Sequence, residues 1–434
     1  MSRHFLIFLD KTLFRIIFYL IVLLSKVRKQ AGTTYTVKLN GSENLLVIRP
    51  GGLGDGLMSI PFLRALRENL PNNHITLICV QKNKASLEHL RFFDEILVID
   101  DLCKIHRTIF KLLGNQFHLV FDLEPFRKIS SVVAYLSAAN VRIGFDTNDR
   151  RLLYTHLVSY ANDKQFESIN MIRQLQILGI DVPYEEAIDM QFALPDDSMK
   201  KVKEILLSHD LSGEKDFIVA IVPGVLKDHH RWIMSRFASL IDLIQRHDVE
   251  AKVLLLGSSA DVPDAQEVLD YVSQKESVTN LVGKTDFMEA LAILKACKIL
   301  IACDGGVVYM AAAMGCSTIS IWGPGVMERF KPPGDNHIGV RKDYFCVPCV
   351  NYNRLGEFPR CPYDRRCILD IQAHEVFDKF LQLKRRILTS ARRPPHEDDD
   401  NRIPLGNGHV LQGESPAHPN NFAIRQKTRR TVTK

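Results

Sequence analysis

Asp55 is the side chain in this sequence best placed to act as a base. It lies in Arg49-Pro-Gly-Gly-Leu-Gly-Asp55-Gly, after the apolar run Leu45–Ile48 and before a helix-like run from Leu57 to Arg67. A short apolar run with β-branched members reads as a buried parallel strand. Gly51, Gly52 and Gly54 allow a sharp turn and a close approach of backbone to a ligand. Open α/β sheets bind ligands beyond the carboxyl ends of their strands, which is where this turn falls. A carboxylate there can take a proton from an attacking hydroxyl. It can also simply cap the next helix. A dinucleotide turn needs Gly-x-Gly-x-x-Gly, whereas the glycines here stand at 51, 52, 54 and 56.

A second run has the same grammar. Ile299–Ala302 reads as a strand, Asp304-Gly305-Gly306 as a turn, and Val307–Met314 as a helix rich in small residues. The N–H groups and dipole of such a helix suit a phosphate. Asp304 would repel that phosphate, so its carboxylate suits a sugar hydroxyl or a backbone N–H. A capped helix without a ligand is the plainer alternative. A third run, Pro223 to Trp232, sets Lys227, His230 and Arg231 after the strand Phe217–Val222. Cations there can neutralise a diphosphate leaving group, or form an ordinary solvated loop. Four cysteines, Cys346, Cys349, Cys361 and Cys367, have a spacing that zinc could use. Packed or incidentally paired thiols are the competing reading.

The elements that must carry these turns alternate along the chain. Strands are expected at Leu45–Ile48, His74–Val80, Glu95–Ile99, His118–Asp122 and Arg142–Gly144. Helices are expected at Ile60–Leu70, Ala85–Arg91, Ile105–Gly114, Ile129–Leu136 and Glu167–Gly179, the last closed by Gly179. After a polar stretch holding one helix, Asp196–Leu207, the alternation restarts. Its strands are Phe217–Val222, Lys252–Leu256, Ile299–Ala302 and Thr318–Ile321. Its helices are Ser235–His247, Val262–Ser273, Phe287–Lys295, Val307–Met314 and a closing His374–Leu388. Such alternation means a parallel sheet covered on both faces. The boundaries read as a basic amphipathic segment over 1–40, one Rossmann-like domain over 41–212, a second over 213–389, and a disordered tail over 390–434.

The net charge of +6 sits at the ends. Residues 1–30 carry +5 and residues 391–434 carry +3, leaving the body near −2. A nucleic-acid groove is therefore not implied, whereas contact with an anionic membrane is. Phe5–Leu24 is apolar but contains Asp10, Lys11 and Arg15. Each such charge costs about 2.5–3.5 kcal/mol near a bilayer centre, against about 0.3–0.6 returned per large apolar residue. The segment reads as an interfacial helix, with Lys26, Arg28 and Lys29 on anionic lipid; a single-span anchor is the alternative. No Ala-x-Ala-like cleavage site follows. Nine cysteines without a cleavable signal suggest a reducing compartment. Cys79, Cys103, Cys297, Cys303 and Cys316 read as packed thiols.

Taken together, Ile48–Asp55, Leu281-Val-Gly-Lys-Thr285, Asp304–Gly315, Trp322-Gly-Pro324 and the cysteine-rich stretch from Cys346 to Cys367 resemble glycosyltransferase family nine, the ADP-heptose:lipopolysaccharide heptosyltransferases. The resemblance covers residues 44–380. It implies a GT-B fold, with two Rossmann-like domains facing across a cleft. It implies a nucleotide-diphospho-sugar held mainly by the C-terminal half, and inversion at the anomeric carbon without a metal or other cofactor. It makes Asp55 the general base, puts Asp304 and Gly306 on the donor, and makes lipopolysaccharide core or a related glycolipid the acceptor. The implied location is the cytoplasmic face of a bacterial inner membrane, peripheral or anchored by the N-terminus. Three positions depart from the family's pattern. Gly305 stands where Ser or Thr is usual, Tyr309 where His is usual, and His230-Arg231-Trp232-Ile233 replaces Lys-x-Trp-Pro; Arg231 or Lys227 would then substitute for the lysine. These departures keep two rivals open: another donor sugar, or a catalytically silent sugar-nucleotide or glycolipid-binding protein. A nicotinamide-dependent oxidoreductase is disfavoured, because no Gly-x-Gly-x-x-Gly with a ribose-binding acid follows the first strand.

Overall fold

Twelve short strands among the described residues build two all-parallel sheets of six. The computed structural model describes residues 13–24, 37–100, 105–161, 165–350 and 361–392. The first sheet holds β1 (Asn44–Ile48), β2 (His74–Cys79), β3 (Glu95–Val98), β4 (Leu119–Asp122), β5 (Val141–Phe145) and β6 (His156–Val158). Its order is β3-β2-β1-β4-β5-β6. The second holds β7 (Phe217–Val222), β8 (Ala251–Leu255), β9 (Val278–Asn280), β10 (Ile299–Cys303), β11 (Ser317–Trp322) and β12 (His337–Arg341). Its order, β12-β11-β10-β7-β8-β9, is the first sheet's order read backwards. Each half is thus a doubly wound sheet whose strand order reverses between its first and fourth strands. Those switch points lie between β1 and β4 and between β7 and β10, and the three turns singled out above begin there.

The central strands are apolar on both faces because helices cover both faces. Leu45, Leu46, Val47 and Ile48 are fully buried, as are Ile218–Ile221 and Ile299–Ile301. Both sheets and the elements around them, up to Leu388, form one compact body.

The helix Leu13–Leu24 lies on the first half. Phe18 is buried against Val132 and Leu153. The Tyr19 hydroxyl donates to Asp149 at 2.6 Å, and Lys128 Nζ sits over the Phe18 and Tyr19 rings. Twelve residues of helix are about 18 Å long, short of a hydrocarbon core of about 30 Å. Among the described residues no helix is long and apolar enough to cross a membrane. Residues 1–12, Lys26, Arg28, Lys29, Cys103 and the tail from 393 lie outside the described residues.

Several expectations need correction. The helix after β2 is Gln81–Lys84, and residues 85–89 are turns. Asn83 sets this: its carboxamide oxygen accepts the Val80 N–H at 3.0 Å, and its amide donates to the Arg49 carbonyl at 2.8 Å. Leu87 and Leu90 are buried without being helical. The expected Glu167–Gly179 helix is α-helical only to Ile172 and tightens to a 3-10 helix over Arg173–Leu178, with Gly179 left-handed at φ 73°. The strands β6, β9 and β12 were not anticipated. All three sit at or beside sheet edges and are only partly buried, so they lack a continuous apolar run.

Candidate active site

Arg49 organises the first turn. It follows β1 directly and its side chain is 2% exposed. Nη1 donates to the Leu123 carbonyl beyond β4, and Nε donates to the Asp55 carbonyl, both at 2.9 Å. Nη2 meets Asp55 Oδ1 at 3.2 Å. Asp55 Oδ2 accepts the Gly52 N–H at 2.6 Å. Asp55 therefore does close the start of the short helix Leu53–Leu57, as the capping alternative has it. Its side chain remains 42% exposed, so the carboxylate is oriented from behind and open in front. The glycine at 51 is needed, since a Cβ there would overlap the Asp55 side chain at 2.5 Å.

The second glycine turn meets the first. A Cβ at Gly54 would fall 2.6 Å from Tyr309 Cδ2, and one at Gly306 would fall 3.1 Å from Leu53 and 3.4 Å from the Gly54 nitrogen. Only two glycines let the helix Gly306–Ala313 approach Asp55's helix this closely. The N-terminus of that helix thus meets the turn that carries the exposed Asp55 carboxylate. Gly305 is extended at φ −178° and has room for a side chain, its nearest neighbour being the Cys303 carbonyl at 3.7 Å.

Asp304, at the end of β10, faces His230 of the β7 loop: Nδ1 to Oδ2 is 3.0 Å. The imidazole is 2% exposed, and the contact is off the line a hydrogen bond needs. Neither ring nitrogen makes one among the described residues. Asp304 also lies against Gly325 in the loop after β11, where a Cβ would meet Oδ2 at 3.0 Å. Three loops, after β7, β10 and β11, therefore converge on this carboxylate.

A family match fixes what kind of catalyst this chain is. The sequence profile of glycosyltransferase family 9 (heptosyltransferase) matches residues 105–357. The chain belongs to that family. Lipopolysaccharide heptosyltransferase 3 of Escherichia coli K12 is 25% identical over 283 residues, 62% of this chain and 79% of that one. The crystal structure of a glycosyl transferase family 9 protein from Veillonella parvula has a TM-score of 0.65 at 19% identity, covering 82% of this chain and all of that chain. That of E. coli ADP-heptose lps heptosyltransferase II has a TM-score of 0.61 at 18% identity, covering 80% and 99%. The fold is GT-B, and the protein is a glycosyltransferase. The matched stretch contains His230, Asp304 and Tyr309; Asp55 precedes it.

The remaining candidates in this glycosyltransferase divide between crevice and scaffold. Lys227 is half-buried and heads the one-turn 3-10 segment Asp228–His230. Arg231 turns to Asp264 and Asp228 and donates to the Val225 carbonyl, so its charge is already matched by carboxylates. Tyr309 is 6% exposed and donates its hydroxyl to the Phe330 carbonyl at 2.7 Å. In this structure its ring is packing between the halves rather than an open donor contact.

Two groups escaped the sequence reading. Arg49 stood inside the quoted motif, and a charge directly after a buried strand was the available signal. Glu167 and Arg329 form a buried pair between the halves, with Nε to Oε2 at 2.7 Å and both side chains 5% exposed. Burial pushes the Glu167 carboxyl up, against the opposing pull of Arg329 and Arg49. With 162 positions between the partners, no local signal existed.

Cys346, Cys349, Cys361 and Cys367 line one cavity with Pro324, Tyr344, Phe345, Tyr363 and Arg366. Burial and the neighbouring thiols push Cys367 up to about 11 and raise Cys349. Among the described residues, no three His, Cys, Asp or Glu side chains are arranged to hold a metal ion. The four thiols share the lining of this one cavity. Cys79, Cys297, Cys303 and Cys316 are buried free thiols.

Proposed function

We propose that this glycosyltransferase moves a heptose from ADP-heptose to a lipopolysaccharide-core or related glycolipid acceptor, with inversion. The observation that carries the reading is the contact of the two glycine turns. In a family 9 chain, it sets an open carboxylate beside the N-terminus of the helix that begins at Gly306. The acceptor hydroxyl attacks the anomeric carbon while Asp55 takes its proton. The bond from that carbon to the diphosphate oxygen breaks, and ADP leaves. One displacement on the face opposite the leaving group inverts the centre. Oriented N–H groups at the Gly306 helix and the Lys227 ammonium suit the charge that develops on the diphosphate. No metal enters this sequence of events.

The donor is assigned from the name of the E. coli structural neighbour, an ADP-heptose enzyme, and the acceptor from the curated relative, a lipopolysaccharide enzyme. A lipid-borne acceptor also fits the outer side of the Leu13–Leu24 helix, where Leu20 and Leu23 are exposed. In this reading the protein works at the cytoplasmic face of the inner membrane, held peripherally with that helix on anionic lipid.

A thermal-shift panel of ADP, UDP, GDP and CMP with their common sugar conjugates tests the donor. A ligand that binds only the folded state at 100 times its Kd adds about 2.7 kcal/mol of stability. ADP compounds should raise Tm by several degrees, and the others should not. Preference for UDP or GDP would reassign the donor. No shift with any of them would favour the silent glycolipid-binding protein.

A further inference from the structure

The Glu167–Arg329 pair belongs to a set of contacts and electrostatic interactions that surrounds the Asp55 turn. Arg329 lies on the helix Met327–Phe330 of the second half, and Glu167 opens the helix Glu167–Ile172 of the first. The Tyr160 hydroxyl donates to Glu167 Oε1 at 3.1 Å, and the Arg329 guanidinium lies 4.5 Å from the centre of the Tyr160 ring. The residue after Arg329, Phe330, accepts the Tyr309 hydroxyl, and the Tyr309 ring rests on Gly54. On the other side, Arg49 is close enough to act electrostatically on Glu167 while it grips Asp55. These interactions therefore run from Asp55 through Arg49, Glu167, Arg329, Phe330 and Tyr309 back to the turn that carries Asp55.

A buried ion pair is stable only while both partners are present and desolvated together. This one spans the two halves, so it has one satisfied arrangement with the halves together and another, with both charges hydrated, when they part. Such two-arrangement contacts are what hinge closure uses. We propose that Arg329 is a positioning residue: by locking onto Glu167 and Tyr160 it holds the donor half against the Asp55 turn and fixes the closed geometry in which transfer occurs. The inference rests on the heptosyl-transfer reading for its kinetic consequence, though not for its structural one.

Arg329→Gln should lower kcat at least tenfold while the affinity for ADP, read by titration calorimetry, changes less than about threefold. The turns assigned to the donor follow β7 and β10, and Arg329 lies on neither of them. Arg329→Lys should recover part of the lost kcat. Amides of Leu53–Leu57 should exchange faster with deuterium in Arg329→Gln than in the wild type, and the radius of gyration should rise. If Arg329→Gln does not fold, Tyr309→Phe, which removes only the hydroxyl donated to Phe330, should still speed exchange at Leu53–Leu57 and lower kcat severalfold. Unchanged kcat and unchanged exchange in the soluble variant would overturn the proposal. If the wild type transfers nothing, the functional reading fails by itself, and exchange and scattering still decide the positioning role.

Discussion

Replacing Asp55 by asparagine should reduce kcat by roughly 10²–10⁴-fold, the usual contribution of a positioned general base. Affinity for the donor should be nearly unchanged, because Asp55 belongs to the first half and the donor turns to the second. Asparagine keeps the size of the side chain and an oxygen for the Gly52 N–H, so the helix start survives. What it loses is the ability to take a proton, together with the charge opposite Arg49. Steady-state rates with saturating acceptor, paired with calorimetry for ADP, separate these effects. If kcat stays within a factor of about three of wild type, Asp55 is only the cap of its helix.

The second large effect concerns the scaffold beneath that turn. Asp122, at the end of β4, is fully buried. It accepts from Arg150 Nη2 at 2.7 Å and from the Tyr154 hydroxyl at 2.6 Å, while Gln174 donates to its carbonyl at 2.9 Å. Arg150 is equally buried. Leu123, the next residue, supplies the carbonyl that fixes Arg49. Asp122→Ala strands a guanidinium in the core and should destabilise the protein by about 3–5 kcal/mol, a fall in Tm of the order of 10 °C. Removing both charges with Asp122→Ala and Arg150→Met should recover much of that loss, since the penalty comes from the uncompensated charge rather than the missing bond. Thermal and urea denaturation of the single and double variants reads both. A single variant within 2 °C of wild type would show that water reaches Arg150.

The contrast between these two sites explains how much of the molecule was legible in its sequence. The Asp55 turn is local: strand, glycines and carboxylate lie within a dozen residues. The same holds for Asp304-Gly305-Gly306. Central strands were visible because burial on both faces demands unbroken apolar runs. The edge strands Val278–Asn280, His156–Val158 and His337–Arg341 were not, because each buries only a single residue. The Gln81–Lys84 helix was misplaced because Leu87 and Leu90 suggest a helical stripe, whereas Asn83 closes the turn earlier. The 227–231 loop was legible as a cationic cluster but not in its pairings. Arg231 is matched with Asp264, 33 positions away, and His230 faces Asp304, 74 positions away. Contacts between the halves, such as Tyr309 on Gly54 and Arg329 with Glu167, depend on how the two sheets meet, and no periodicity within either sheet encodes that.

Release of ADP from ADP-heptose, measured with and without heptose-deficient lipopolysaccharide and followed by mass spectrometry of the lipid, tests the central claim most directly. The account predicts ADP release that requires the acceptor, matched by one added heptose mass on the lipopolysaccharide and nearly lost in Asp55→Asn. Wild-type protein that binds ADP yet leaves the lipopolysaccharide mass unchanged would contradict it.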